Sequence, residues 1–182
     1  MLAQLQQQSA ECVRCNLCES RQQVVFGVGD PNAELVLIGE APGRDEDAQG
    51  EPFVGMAGQL LNRMLQASGL HRESVYIMNT IKCRPPNNRD PKVEEIEACR
   101  YWFDAQLAAL KPKRLVLLGR VAAQSVLRTD APLASLRGRV HDVNGIPARV
   151  FYHPAYLLRS PAQKRVAWQD WCMLLRELKP AV

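Results

Sequence analysis

The sequence has no apolar run approaching the roughly 20 residues of a membrane helix, which excludes a helical bundle threaded through a bilayer. Its start, MLAQLQQQSAEC, lacks both the basic stretch and the apolar stretch of a secretory leader. A reducing, cytoplasmic setting is the expectation that follows. Repeats and low-complexity tracts are missing, so solenoids and tethering segments are set aside. Strong charge is missing as well. The chain carries 23 Lys and Arg against 19 Asp and Glu, a net +4 that permits a nucleic-acid partner without demanding one. The phosphate-loop ending GK[ST] does not occur, although a Gly-rich turn follows the first apolar run.

What the chain does have is six cysteines in 182 residues. In a reducing compartment these argue against a disulfide framework and for metal ligation, catalysis or burial. Residues 12–18 read CVRCNLC. A CxxC spacing suits a metal, but it cannot close a four-ligand site alone, so further ligands must lie far along the chain. The length suits one domain with a real core, and the apolar fraction of 47% is ordinary for a globular protein.

Apolar runs ending in Gly or a polar residue mark strands: ELVLIG at 34–39, SVYIMN at 74–79 and RLVLLG at 114–119. RVHDVNGIPARVFYH at 139–153 reads as a hairpin around Asn-Gly, its second arm a fourth strand. Helices are expected at 57–68, after Asp90-Pro91, at 121–127 and from Pro161 to Leu178. On the second of these, Ile96, Cys99, Phe103, Leu107 and Leu110 recur at helical spacing. On the last, Val166, Trp168, Trp171, Cys172 and Leu175 are expected to face inward. RPPNNRDP at 84–91 is a loop. Strands alternating with helices predict an α/β fold, three layers around a central four-stranded, mostly parallel sheet. Ligands of such sheets bind beyond the carboxyl ends of the strands. Those ends are Gly39-Glu40, Asn79, Gly119 and His153.

The turn GEAPGRDEDAQGEPFVG at 39–55 would repel a phosphate through Glu40, Asp45, Glu46 and Asp47. Carboxylates there suit holding a water or facing positive charge that develops on a substrate. A solvated acidic turn is the plainer alternative. Phe53 is an aromatic in a Gly- and Pro-rich loop, placed to stack a flat ring. The Asn79 carboxamide offers a donor and an acceptor side by side, which matches a nucleobase edge, although a turn-forming Asn is as common. His153 shares that sheet edge. Residues 137–165 carry Arg137, Arg139, Arg149, Arg159, Lys164 and Arg165 against Asp142, a stretch able to face phosphates or merely solvent.

Taken together, CVRCNLCESRQQVVFG, GEAPGRDEDAQGEPFVGMAGQLLN, NTIKCRPPNNRDP and HPAYLL resemble the family 4 uracil-DNA glycosylases, the bacterial and archaeal iron–sulfur type, from about Cys12 to Leu158 and in the same order. The resemblance implies a single domain over 1–182. It implies a [4Fe–4S] cluster on Cys12, Cys15, Cys83 and Cys99, which binds the segment 12–18 to the loop and helix of 83–99. Cys18 is the rival ligand, and Cys172 reads as a core cysteine. The spacing is not the CxxxCxxC of radical chemistry, so a structural cluster is expected. The pocket implied is Glu40, Ala41, Phe53, Asn79 and His153. Glu40, Glu46 and His153 are the implied catalytic groups, with Glu46 and Glu40 both candidates for holding the attacking water. Ala41 stands where the better-known uracil-DNA glycosylases carry an Asp in GQDPYH. HPAYLLRS resembles a loop that wedges into the minor groove, with Leu157, Leu158 or Arg159 filling the gap left by a flipped base. The loop KCRPPNNRDP has neither insertion nor His, so ordinary turnover rather than covalent capture is implied. The implied partner is uracil-containing DNA, single- or double-stranded, acted on by a monomer.

The rival from another class is a non-catalytic nucleic-acid-binding module stabilised by zinc or a cluster on the same four thiols, which zinc accepts equally well. A nucleotide hydrolase using the acidic turn ranks last, for want of a divalent-metal set.

Overall fold

The computed structural model describes residues 1–178, with a sheet of six strands among them: β1 (Val28–Gly29), β2 (Leu35–Gly39), β3 (Tyr76–Asn79), β4 (Arg114–Leu118), β5 (Val140–Val143) and β6 (Ile146–Phe151). Their order is β1-β3-β2-β4-β6-β5. The four central strands are mutually parallel, as expected. The two short edge strands are antiparallel, so the sheet is wider than the four strands predicted. β5 is the foreseen first arm of the hairpin. β1 has only two residues, too few to leave a pattern in the sequence.

The helices are α1 (Leu2–Ala10), α2 (Arg44–Gln49), α3 (Met56–Ala67), α4 (Val93–Leu110), α5 (Arg120–Leu127), α6 (Leu133–Leu136), α7 (Pro154–Arg159) and α8 (Lys164–Leu178). Alternating residues of the buried strands feed two cores, one on each face. Val36, Ile38, Met78, Leu115 and Leu117 pack against Phe103 and Leu107 of α4 and Ala123 and Val126 of α5. Leu35, Leu37, Ile77, Val116 and Leu118 pack against Leu61 and Leu65 of α3 and Trp171 and Leu174 of α8. The result is the three-layer α/β/α arrangement, with period-two burial on strands covered on both sides.

Three local expectations change. The acidic turn after β2 folds partly into α2. The helix expected at Asp90-Pro91 begins at Val93, because the Glu95 carboxylate accepts the Lys92 N–H at 2.8 Å and sets the start there. The inward face of α8 is Ala167, Asp170, Trp171 and Leu174, while Val166 and Trp168 are 36% and 37% exposed. Arg137 is the cause: it donates to Asp170 at 2.6 Å, draws that acid into the interior and fixes the helix rotation. Among the described residues no helix is long and apolar enough to cross a membrane.

Candidate active site

β2, β3 and β4 end side by side, and β6 ends two residues before His153. Beyond those ends lies a cleft of about 590 Å³ lined by Glu40, Ala41, Glu46, Phe53, Asn79 and His153, so all six expected side chains converge. Tyr156, Arg159, Asn88, Asp90 and Arg120 also line it. Asp90 and Arg120 are joined by an ion pair of 2.8 Å.

Asn79 is the last residue of β3 and is 2% exposed. Gly39, its register partner on β2, leaves room for it. A Cβ at Gly39 would stand 2.5 Å from Asn79 Oδ1 and 2.6 Å from Phe53 Cζ, so any side chain there would fill the space between carboxamide and ring. Phe53 takes a left-handed φ of 55° in the loop between α2 and α3. That strained turn is clamped from two sides. Arg72 donates to the Phe53 carbonyl at 3.1 Å and also to the Pro52 carbonyl. Gly58 lets the loop pass so close that a Cβ there would meet Phe53 O at 1.8 Å. The Phe53 ring is stacked on His153, centroids 5.5 Å apart.

His153 caps α7. Its Nδ1 accepts the Ala155 N–H at 3.0 Å, so the proton of the neutral ring sits on Nε2. Burial, and secondarily the charge of Arg159, lowers its pKa to about 4. At neutral pH the side chain is an uncharged Nε2–H donor.

The two candidate carboxylates differ. Glu46 accepts from three backbone N–H groups, those of Gly43 at 3.1 Å, Val54 at 2.9 Å and Gly55 at 3.0 Å. It thereby ties the start of α2 to the segment that carries Phe53. Glu40 has no hydrogen-bond partner for its carboxylate among the described residues. Burial, with help from Asp90 and against Arg120, raises its pKa to about 7. Glu46→Gln replaces one accepting oxygen with an amide nitrogen that meets a backbone donor head-on. It should slow the reaction by loosening the loop, and hydrogen exchange at Val54 and Gly55 should accelerate. Unchanged exchange with a slowed reaction would return Glu46 to a direct role.

HPAYLLRS is helical where a loop was expected. Leu157 is 1% exposed and packs against Leu60 and Ala167, so it is core and cannot reach DNA. Leu158 is half-buried at the edge of that cluster, and Arg159 is exposed. The basic stretch is also less available than its composition suggests. Arg137 is paired with Asp170, and Arg149 with Glu177.

The cysteines form a second compartment. Cys12, Cys15, Cys83 and Cys99 line one small cavity with Leu17, Ile81 and Trp102, whereas Cys18 faces a different surface cleft with Gln22 and Gln23. Three of the four sulfurs receive N–H donors: Trp102 Nε1 to Cys12 at 3.1 Å, the Lys82 amide to Cys99 at 3.3 Å and Arg21 to Cys83 at 3.5 Å. Burial pushes the Cys83 thiol up to about 12 and raises Cys15 and Cys99 as well. As thiolates, four such groups in so apolar a place would need a positively charged metal centre to offset them, and N–H donors around sulfur suit an iron–sulfur cluster. Among the described residues no three such side chains converge closely enough for a single ion.

Sequence reasoning missed Arg72, Lys82 and Gln106, which support the site from behind. The one available signal was Lys82 itself, a charge between Ile81 and Cys83 in a stretch otherwise suited to burial.

Residues 26–172 match the family profile described as the uracil DNA glycosylase superfamily. Among curated proteins, the chain is 47% identical over 158 residues to the type-4 uracil-DNA glycosylase of Archaeoglobus fulgidus, covering 82% of this chain and 79% of that one. The type-4 enzyme of Pyrobaculum aerophilum is 38% identical over 94% of this chain and 92% of its own length. That of Thermotoga maritima is 40% identical over 88% and 85%.

Proposed function

The chain belongs to the uracil DNA glycosylase superfamily and within it to the type-4 uracil-DNA glycosylases, and from that premise we propose how this cleft removes uracil from DNA. The reaction is hydrolysis of the N-glycosidic bond, leaving an abasic site for repair. The convergence of Phe53, Asn79 and a neutral His153 at the strand ends is the observation that carries the reading.

Uracil is buried in the duplex stack, so it is turned out into the cleft before reaction. Arg159, exposed on the cleft wall, and half-buried Leu158 next to it are assigned to the gap left in the strand. Phe53 stacks on the base. The Asn79 amide donates to O4 and accepts from N3–H, whereas cytosine presents the reverse pattern and leaves two buried groups unpaired, at about 1–3 kcal/mol each. As the C1′–N1 bond breaks, its electron pair stays with N1 and spreads to O2. His153 Nε2–H donates to O2 as that charge grows. Such preorganised donors are worth about 10²–10³ in rate in other enzymes. The sugar becomes oxocarbenium-like, a water adds at C1′, and the proton lost by that water passes to Glu40. The reading assigns Cys12, Cys15, Cys83 and Cys99 to a [4Fe–4S] cluster. When bound, that cluster supplies a covalent tie between the N-terminal segment, the 83–92 loop and α4, and no chemistry on the base.

Glu40 works ionised and is protonated below its raised pKa, so the single-turnover rate should climb with pH through about 7 and level off above it. Glu40→Gln should be slow and flat across that range. The stability effect has the opposite sign. A carboxyl with a raised folded-state pKa stabilises the fold while protonated and loses that contribution as pH rises through about 7. Glu40→Gln should therefore melt above the parent at pH 8, with the gap narrowing as pH falls and closing below the ordinary carboxyl value of 4.5. A parental rate and parental pH profile in Glu40→Gln would assign the water to another acid.

The function is tested by incubating iron-replete protein with a uracil-containing oligonucleotide and then with alkali. Strand cleavage at the uracil and not at cytosine or thymine is expected. An intact strand, from folded protein, would leave the zinc- or cluster-stabilised binding module as the better account.

A further inference from the structure

We propose that Lys82 is a positioning residue that locks Asn79 to the helix carrying Cys99, an inference that rests on Asn79 being the group that reads the base.

Lys82 is 1% exposed, and the Lys side chain is almost never buried unless it is held. Its Nζ donates to the backbone carbonyl of Asn79 at 2.9 Å and to Gln106 Oε1 at 2.5 Å. The ammonium also lies 5.7 Å from the centre of the Phe26 ring. Gln106 is itself fully buried, and its Nε2 donates to the Phe26 carbonyl at 3.0 Å and to the Tyr76 hydroxyl at 2.9 Å. With both amide hydrogens spent, its oxygen can only face Lys82. Gln106 stands two turns beyond Cys99 on α4. Tyr76 and Asn79 are the first and last residues of β3, so the network grips that strand at both ends.

The consequence for Asn79 is specific. The peptide that follows it is held on both edges: Thr80 N–H donates to the Gly39 carbonyl at 2.9 Å, and Lys82 holds the Asn79 carbonyl. Rotation about ψ of Asn79 would swing its carboxamide away from a base edge. That rotation breaks a bond on each side of the peptide plane. The main chain of Lys82 meanwhile donates to Cys99 Sγ. One residue thus touches the cysteine compartment with its backbone and the base-reading residue with its side chain. A satisfied buried network of this kind has a single arrangement, and that suits a group which must be placed to a fraction of an ångström.

The test is a double-mutant cycle read by single-turnover excision at saturating protein, with iron content measured on every variant. Lys82→Met should keep its iron and its affinity for uracil-DNA, yet lose roughly tenfold or more in rate, with faster hydrogen exchange at Thr80. In an Asn79→Ala background the same change should cost less than about threefold, because the group it positions is gone. A merely structural lysine would lower both backgrounds alike, and equal losses overturn the proposal. Gln106→Leu removes the other anchor without touching the cleft and should show the same non-additivity, at roughly three- to tenfold. If Lys82→Met does not accumulate as soluble protein, the Gln106 cycle decides on the same criterion. Failure of the functional reading looks different: the parent itself would release no uracil.

Discussion

Asn79→Asp should lower the rate of uracil excision by at least about 10²-fold, taking the hydrogen bond lost at O4 and the acceptor–acceptor repulsion that replaces it at roughly 1.5 kcal/mol each. The substitution preserves size and changes only the pattern of donors and acceptors. Asn79 is nearly inaccessible at the end of β3, its peptide clamped by Gly39 and Lys82. An aspartate there has no way to turn aside. One of its oxygens still accepts from N3–H, but the other, standing where the NH2 donor was, would face O4 of uracil, another acceptor, with little water to screen the clash. Cytosine should gain a little, since its exocyclic amine is a donor, and that gain should grow as pH falls because cytosine N3 needs the acid protonated. Asn79→Ala is the control: it loses uracil without inviting cytosine. Parental excision by Asn79→Asp would remove Asn79 from base reading.

The second large effect concerns the thiols. Cys12→Ser, Cys15→Ser, Cys83→Ser and Cys99→Ser should each strip the protein of iron, of the brown absorbance near roughly 400 nm expected of thiolate–iron charge transfer, and of most of its soluble yield. These residues come from the stretch after α1, the loop after β3 and the middle of α4, and they meet in one cavity. Without a metal centre little but Arg21, Trp102 and a few apolar contacts would hold the stretch after α1 to the other two segments. Cys18→Ala and Cys172→Ala should retain near-parental iron, because Cys18 lines a different cleft and Cys172 lies on α8. Iron lost at Cys18 and kept at Cys12 would reverse the ligand assignment. A colourless protein with one zinc per chain would replace the cluster.

The parts of this molecule legible in its sequence are those where a local pattern and the tertiary outcome agree. ELVLIG, SVYIMN and RLVLLG became β2, β3 and β4 because strands buried on both faces need unbroken apolar runs. Their polar or glycine ends mark the cleft for the same reason: a side chain just past a buried strand points to open space. The CxxC pair and the period of α4 were legible by spacing, whereas Cys83 and Cys99 were reached as partners only through the resemblance to the glycosylase family. Most of the failures depend on partners outside the local pattern. The rotation of α8 is set by Arg137 reaching Asp170, 33 residues away. Leu157 looked like a wedge in a loop, yet it sits on a helical turn whose inner side faces Leu60 of α3. Glu46 looked like a free carboxylate until the loop after α2 folded back to offer it the N–H groups of Val54 and Gly55. Lys82 reads as a surface residue by type, and the Asn79 carbonyl together with Gln106, 24 residues on, makes its burial tolerable. Polar groups held by remote backbone leave no periodic trace.

In this mechanism the cleft at the strand ends holds uracil. A crystal of the protein soaked with the free base tests it most directly. The expected result is a ring lying against the Phe53 face, with O4 and N3 within hydrogen-bond distance of the Asn79 carboxamide and O2 within reach of His153 Nε2. Uracil bound elsewhere, or in the cleft with its O4–N3 edge turned away from Asn79, would contradict it.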